Sequence, residues 1–547
     1  MEVRILFLLA LGCSGAASPF VDALGDAGVD ALVPSLSASP ATPTLSAHTI
    51  SLPRLTVAEA AEGLASQLAT GGTEWMWTAM LLPEVPEEPL ELALPPQYGL
   101  ALTTSLARVT VFQSVGVDIA RDGVALSTDA PVIAGRGLRV RAYLEEGVGS
   151  LVLGRLRWES GGTTTLFVGS MLVEGPSEDA DAGTLFEFEV PKELVTSDAS
   201  FAVDILEDDG ETFATASRAR FPMNGDAHAL GAEAAMFIDV RLVPMRYGFD
   251  GSMRMPDVGE DEIVALREHL EAAFPVFQAS VTVLPARDYA DGIGPDNFDE
   301  HVDALHQVIA WRANDAPPSA VYYVALVAPA DSFGEYCAGG CYAGVAPLNE
   351  TNTPFQRASV VVWYGASRSG WTALHELGHT QGRAHVACGG VSGADPEYPY
   401  ADGVIGVWGF DQRLGEFLSP TRHDFMSYCG DEWVSDYTYA AMAARVRALR
   451  TPPVVSLSVQ IPGAPRRMIT TGNRVRWSNV SLPAGVVGEV TQLVAIDTRG
   501  RRRMVDAERI QYSIDGPSSY AVRVDVDITA FIVEGTRLEV PPAMRRF

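Results

Sequence analysis

Lysine is nearly absent from this 547-residue chain: Lys192 is the only one, and every other basic residue of the Lys/Arg class is an arginine. That skew looks like codon bias in a GC-rich genome, so no arginine cluster counts as a binding patch on number alone. Positive charge is scarce overall, with 39 Lys and Arg against 69 Asp and Glu, a formal charge of −30 and a pI near 4.6. A surface that acidic repels phosphate backbones and anionic bilayers, which excludes nucleic acid as an expected partner. Long apolar runs are also missing: beyond the first dozen residues nothing approaches the roughly 20 apolar residues of a membrane span. Histidine is limited to nine and cysteine to five. Apolar residues are not scarce. At 47% of the chain they suffice for buried cores, and the length suits about three or four domains.

The apolar stretch at the start is short. Arg4 precedes Ile5-Leu6-Phe7-Leu8-Leu9-Ala10-Leu11, which has the character of the apolar core of a secretory signal. The run ends Ala10-Leu11-Gly12-Cys13 and resembles a bacterial lipobox, with Ala10 where Leu is usual. Residues 1–13 are therefore expected to direct export, with lipid attached at Cys13; cleavage near Ala16-Ala17 is the alternative. The other four cysteines, Cys337, Cys341, Cys388 and Cys429, are an even number that suits disulfides in an exported protein and allows three pairings.

Three of the nine histidines fall within eleven residues, His375-Glu376-Leu377-Gly378-His379-Thr380-Gln381-Gly382-Arg383-Ala384-His385, which is HExxHxxGxxH. On a helix, His375 and His379 are one turn apart on the same face, so both imidazoles can share one Zn2+. Glu376 lies about 100° round the helix, within reach of a metal-bound water. Gly382 permits a backbone conformation that ends the helix, and His385 then arrives as third ligand from outside it. The string is a zinc hydrolase motif.

The rest of the chain falls into segments. Residues 14–100 are rich in Ala, Ser and Pro, which predicts a tether or pro-region. From 101 to 230 short alternating strands separated by Gly, Asp and Pro turns predict a β-sandwich accessory domain, and 453–547 predicts a second β-rich domain. Between them, 231–452 alternates strand and helix: strands at 237–244, 280–284, 321–327, 341–346 and 358–364, helices at 261–274 and 299–312, then the zinc helix. A mixed sheet with helices behind it is expected. His301 and His306 fall on the second helix as structural or solvent-facing residues, and His423 on a loop.

The long zinc motif and this element order resemble the catalytic domain of metzincin metallopeptidases. The resemblance implies a multidomain chain: an α/β catalytic domain with zinc helix and Met-turn, flanked by N- and C-terminal all-β, sandwich-like domains. Asp424-Phe425-Met426-Ser427-Tyr428-Cys429 matches the group's Met-turn. Met426 would then form a soft apolar floor beneath the imidazoles, and Tyr428 would stabilise the oxyanion. His385-Val386-Ala387-Cys388-Gly389, Pro396-Glu397-Tyr398-Pro399-Tyr400 and Trp433-Val434-Ser435-Asp436-Tyr437 are similar to stretches of exported bacterial proteases that include the mucin-directed, ToxR-regulated lipoprotein type. Substrate choice varies within that set.

The resemblance also implies the pairing Cys388–Cys429, since the segments after the third ligand and after the Met-turn must converge beneath one metal, and with it Cys337–Cys341. It further places Tyr342-Ala343-Gly344-Val345 as an edge strand above the cleft, able to pair with extended substrate. Asn224-Gly225-Asp226 is weakly similar to a pro-segment aspartate that caps zinc. No cysteine lies between Ser14 and Tyr336, so a cysteine-capped zymogen is excluded for that segment.

The expected activity is zinc-dependent hydrolysis of internal peptide bonds in extracellular proteins or glycoproteins. Glu376 would act as general base and then as proton donor to the leaving amine. The chain is expected to be a monomer at the bacterial surface or secreted, touching membrane only through an N-terminal lipid. Tyr398, Tyr400, Trp408 and Phe410 either shape the specificity pocket or are core. The competing expectation is a surface adhesin with a latent or structural zinc site; Glu376 argues against it, because a structural site needs no such carboxylate.

Overall fold

A computed structural model describes residues 98–450, apart from 146, 148, 209, 212, 214, 215 and 235, with the strand Val3–Phe7. Within 467–542 it describes 467–470, 476–478, 489–511, 518–522, 524, 527–533 and 535–542. The chain divides into two compact units, Met1–Ala10 with Glu91–Phe547, and Leu11–Leu90. The second unit lies outside the described residues, as do Cys13 and residues 14–97 of the expected tether. Its last three residues differ from the expectation: Tyr98–Leu100 is a strand antiparallel to Ser200–Asp208, because Leu100 is buried opposite Leu206. At the other end, Val3–Phe7 of the expected signal lies parallel beside Thr164–Val168.

Residues 98–235 form two largely antiparallel sheets. One runs Val124–Ala125, Gly116–Arg121, Leu106–Phe112, Leu138–Leu144, Phe186–Val190; the other is built on Thr163–Val173, Ser150–Ser160 and Ser200–Asp208. Alternation explains the layering. Val140 and Ala142 of one sheet, and Leu156 and Trp158 of the other, turn inward and are fully buried. Gly154 is required where the ring of Phe186 crosses from the facing sheet, since a Cβ there would lie within 2.8 Å of the ring.

The motif-bearing region begins with β1 (Phe237–Tyr247), α1 (Glu260–Ala273) and β2 (Gln278–Val283). The short strand β3 (Arg287–Tyr289) follows, which the sequence pattern did not reveal. Next come α2 (Phe298–Asp315), β4 (Val321–Val327), β5 (Gly344–Val345), β6 (Ala358–Val362), α3 (Ala366–Thr380) and, after the Met-turn, α4 (Asp436–Arg450). The sheet order is β2-β1-β4-β6-β5, with β3 also on β1; only β5 is antiparallel to its neighbour. All seven residues of β4 are buried, as a central parallel strand covered on both faces requires.

Helices cover both faces of this sheet rather than one. Val240, Leu242, Tyr322, Val324 and Val361 share a core with α1, α3 and α4. Val243, Met245, Tyr323, Ala325 and Val360 share another with α2. The first core does not stop at residue 231: it runs on into the β-sheets of 98–235, through Leu106, Val140, Ile133 and Trp158. Hydrogen bonds stitch the same seam, from Ser114 Oγ to the Ala272 carbonyl (2.5 Å) and from Arg136 Nη1 to the Phe274 carbonyl (2.7 Å). The N-terminal β region is thus part of the body that carries the motif.

The described C-terminal residues form one seven-stranded sheet, packed on Leu493, Phe531 and Val533. Ala521 of this sheet belongs to the core that includes Val243, Tyr289 and Val302 of the motif-bearing region.

Candidate active site

The motif helix is fixed at both ends. At its start, the backbone of Gly365 is left-handed (φ 93°), and the Glu262 carboxylate of α1 accepts the Ala366 N–H, a negative charge at the positive end of the helix dipole. At its end, Gly382 has φ 83°, with the Gly382 N–H on the His379 carbonyl (2.8 Å) and the Arg383 N–H on the Gly378 carbonyl (2.9 Å). This is the Schellman arrangement, and it needs a residue tolerant of positive φ. The chain then reverses, so that His385 faces the helix it has left.

The three imidazoles converge. Nε2 of His379 lies 3.0 Å from that of His375 and 3.1 Å from that of His385. Each Nδ1 points the other way, onto a backbone carbonyl: Phe425 for His375 (2.7 Å), Arg383 for His379 (2.7 Å) and Ser392 for His385 (2.8 Å). A carbonyl only accepts, so each Nδ1 holds the hydrogen and each neutral ring turns a lone pair inward. Burial, reinforced by the His375 and His385 rings, holds His379 well below the ordinary histidine range and so keeps it neutral. Three inward lone pairs about 3 Å apart repel one another unless a cation lies between them; the donor set fits a divalent metal.

The segments beneath the metal position are locked together. Val386 N–H donates to the Met426 carbonyl (2.9 Å) and Tyr428 N–H to the Cys388 carbonyl (3.1 Å). Cys388 and Cys429 are bridged beside this ladder, and Cys337 is bridged to Cys341. Met426 is fully buried, and its Sδ sits where a Cβ on Gly378 would be. Asp424 shapes the turn: Oδ1 accepts Met426 N–H (2.9 Å), and Oδ2 accepts Ser435 N–H (3.0 Å) and Oγ (2.5 Å). Phe425 is tied by its N–H to the Trp433 carbonyl (2.7 Å), and its own carbonyl orients His375.

Glu376 is buried beside the histidines, with Gly344 of the edge strand directly over its carboxylate. Tyr428 is about half exposed, its ring 5.0 Å from that of His385 and 5.7 Å from that of His375. The expected edge strand is shorter than four residues. Only Gly344 and Val345 are strand; Ala343 contributes its carbonyl to Val362 N–H, while Tyr342 turns away. Its N–H bonds Pro295, and its carbonyl faces Nε2 of the buried His301 (3.1 Å) and the Tyr336 hydroxyl (3.3 Å). The bend follows directly on the Cys337–Cys341 loop, and His301 has a structural role.

Other expected residues lie in the scaffold. Phe410 is buried against Phe417 and the Arg139 guanidinium of the β region. Trp408 gives its carbonyl to Gly116 N–H. Tyr398 and Tyr400 bond the Val404 carbonyl and Asp436. Asn224, Gly225 and Asp226 form a local turn whose Gly225 carbonyl is held by Arg157. They belong to the β region and not to the metal position. Sequence reasoning placed Gly344 in the edge strand but not against Glu376, and it missed the roles of Asp424, Glu262 and Trp371, which packs against Phe425 and Trp433 one turn before His375. Asp424 alone had a local signal, as the acidic residue two before the Met.

Three buried histidines around one point, with a carboxylate alongside, define the site of a metal-dependent hydrolase. Residues 309–437 match the family model Peptidase M66, a segment that runs from α2 through the motif helix and the Met-turn to the start of α4, and the match supports a metallopeptidase. No curated protein matches the chain.

Proposed function

We propose that the chain is a zinc endopeptidase of the metzincin type, exported and acting on extracellular proteins or glycoproteins. The observation that carries this reading is the pairing of two features: three Nε2 lone pairs aimed at one point, and a buried carboxylate beside them under a sheet edge. His375, His379 and His385 would hold the ion, which when bound supplies Lewis acidity and an acidified water. Glu376 would take a proton from the attacking water and pass it to the leaving amine. Its burial keeps bulk water from competing for the proton. Tyr428, exposed at the rim, donates its phenolic hydrogen to the developing oxyanion. β5 ends the sheet, paired only with β6, and its outer backbone groups would bind an extended peptide without regard to its side chains, as internal cleavage requires.

The test is mass spectrometry of fragments from a diverse set of proteins and glycopeptides. Internal cuts that stop with a chelator and return with zinc are expected. Trimming from the termini alone would contradict an endopeptidase. Intact substrates in the presence of zinc-loaded protein would favour a surface adhesin.

A further inference from the structure

Among the described residues one further group of metal-ligating side chains converges, besides the three histidines of the motif. It is Cys388, His423 and Cys429, with a ring nitrogen of His423 and both sulfurs within 4.8 Å of one another. In this structure the two sulfurs are joined to each other. All three side chains are half-buried, so each keeps some contact with solvent. The hydrolytic chemistry uses none of them.

The main chain holds this group together without the bridge. Tyr428 N–H donates to the Cys388 carbonyl (3.1 Å), and Val386 N–H to that of Met426 (2.9 Å). A Cβ on Gly389 would lie 2.7 Å from the Tyr428 carbonyl, so the residues next to the two cysteines pack backbone on backbone. His423 is fixed from two sides: its N–H donates to the Asp431 carbonyl (3.3 Å), and the Ile405 N–H donates to the carbonyl of Arg422 (2.7 Å). Its Nδ1 meets the Gly430 carbonyl at 2.9 Å. A carbonyl only accepts, so Nδ1 carries the hydrogen and the neutral ring offers Nε2 as its lone-pair atom. Each histidine of the motif is oriented by a carbonyl in the same way, which is how a ring is commonly set for a metal.

We propose that opening the Cys388–Cys429 bond turns this group into a second Zn2+ site, with Cys388, Cys429 and His423 as ligands and a fourth position open to solvent. The step is a two-electron reduction by a dithiol. Its two hydrogens pass to the sulfurs of Cys388 and Cys429, and the dithiol closes to its own disulfide. On binding, Zn2+ displaces one proton from each thiol, so two thiolates and an imidazole hold the ion. A tetrahedral zinc holds such donors roughly 3.5–4 Å apart, inside the 4.8 Å span of this group. The net charge of −30 draws a dication towards the chain. The segments beneath the catalytic position are then tied in both redox states, by a bond or by an ion. Among the described residues Cys337 and Cys341 have no third ligand at this range.

The experiment reduces the full chain with dithiothreitol, removes the reagent by gel filtration under argon, and titrates Co2+ as a probe for zinc. Thiolate-to-cobalt charge transfer absorbs in the near ultraviolet, and three histidines alone give no such band. The signal therefore reads this site whatever the catalytic position holds. The reduced wild type should show the band and bind one more equivalent of metal than the oxidised chain. Cys337→Ser with Cys341→Ser should keep the band, and Cys388→Ser with Cys429→Ser should lose it. His423→Ala should weaken binding at least about tenfold. Reduction alone can loosen a fold, so near-ultraviolet circular dichroism and melting are followed in parallel. The extra equivalent of zinc should raise the melting temperature of the reduced chain by several degrees and leave that of the oxidised chain unchanged. Absence of the thiolate band in the reduced wild type overturns the site. So does a band that survives Cys388→Ser with Cys429→Ser, full affinity in His423→Ala, or metal uptake only after the native dichroism is lost.

Discussion

Gly344 and Glu376 are in direct contact: a Cβ added at residue 344 would lie 2.7 Å from Cγ and 2.8 Å from Cδ of Glu376. Real Cβ atoms do not approach so closely, so the smallest possible side chain is what lets the sheet edge lie over the carboxylate. Gly344→Ala should displace Glu376 without touching a metal ligand. A fall in kcat of at least about tenfold is expected, up to the 10²- to 10⁴-fold that loss of a general base costs, with metal content unchanged. Steady-state kinetics and metal analysis on the same preparation check it. An unchanged kcat would mean that Glu376 has room to move.

The Cys388–Cys429 bridge closes a 41-residue separation around the metal position. In the chain-entropy account a loop of that size contributes about 4 kcal/mol. The double variant Cys388→Ser, Cys429→Ser should unfold at distinctly lower denaturant and lose its metal to a weak chelator sooner. Cys337→Ser with Cys341→Ser closes a far smaller loop and should cost less. Denaturant melts of the two double variants give the comparison, and equal losses would contradict it.

Asp424 is fully buried and accepts three hydrogen bonds from Met426 and Ser435. Asp424→Ala leaves those donors sealed without an acceptor, at about 1–3 kcal/mol each when nothing replaces it. A loss of at least about 3 kcal/mol is expected, together with weaker metal retention, because the Phe425 carbonyl that orients His375 sits on the same turn. Urea unfolding of the metal-loaded and metal-free forms separates the two effects.

Burial pushes His306 down to about 4 from its ordinary 6.5. His306 therefore stays neutral in the folded chain while the unfolded chain takes up a proton below 6.5. With more protons on the unfolded side, stability falls as pH drops from 6.5 towards 4 and is flat above that window. His306→Gln should flatten this slope relative to wild type, whatever it does to absolute stability. Thermal melts at half-unit pH steps measure it, and parallel slopes would contradict the assignment.

The metal site was legible because its five fixed residues lie within eleven positions on a helix and the turn after it, where spacing alone dictates which side chains meet. Met426 and the cysteines were legible through family resemblance. What stayed hidden depends on sheet register and on contacts across long stretches of chain. Gly344 reads as an ordinary strand glycine until β5 is set against β6, and Tyr342 reads as strand until His301 is found holding its carbonyl. Ser114 accepts the Trp433 indole N–H across 319 residues, and no local pattern encodes that contact. For the same reason the boundary expected near residue 230 does not mark a break in the core: hydrophobic periodicity shows which face of an element is buried, not against which partner.

The most direct test of the account replaces Glu376 with Gln and follows cleavage of an unstructured protein such as casein by preparations of matched zinc content. Gln keeps the shape beneath Gly344 but cannot take a proton. The account predicts that zinc binding is retained and that kcat falls about 10²- to 10⁴-fold. Wild-type cleavage by a fully zinc-loaded Glu376→Gln chain would contradict it.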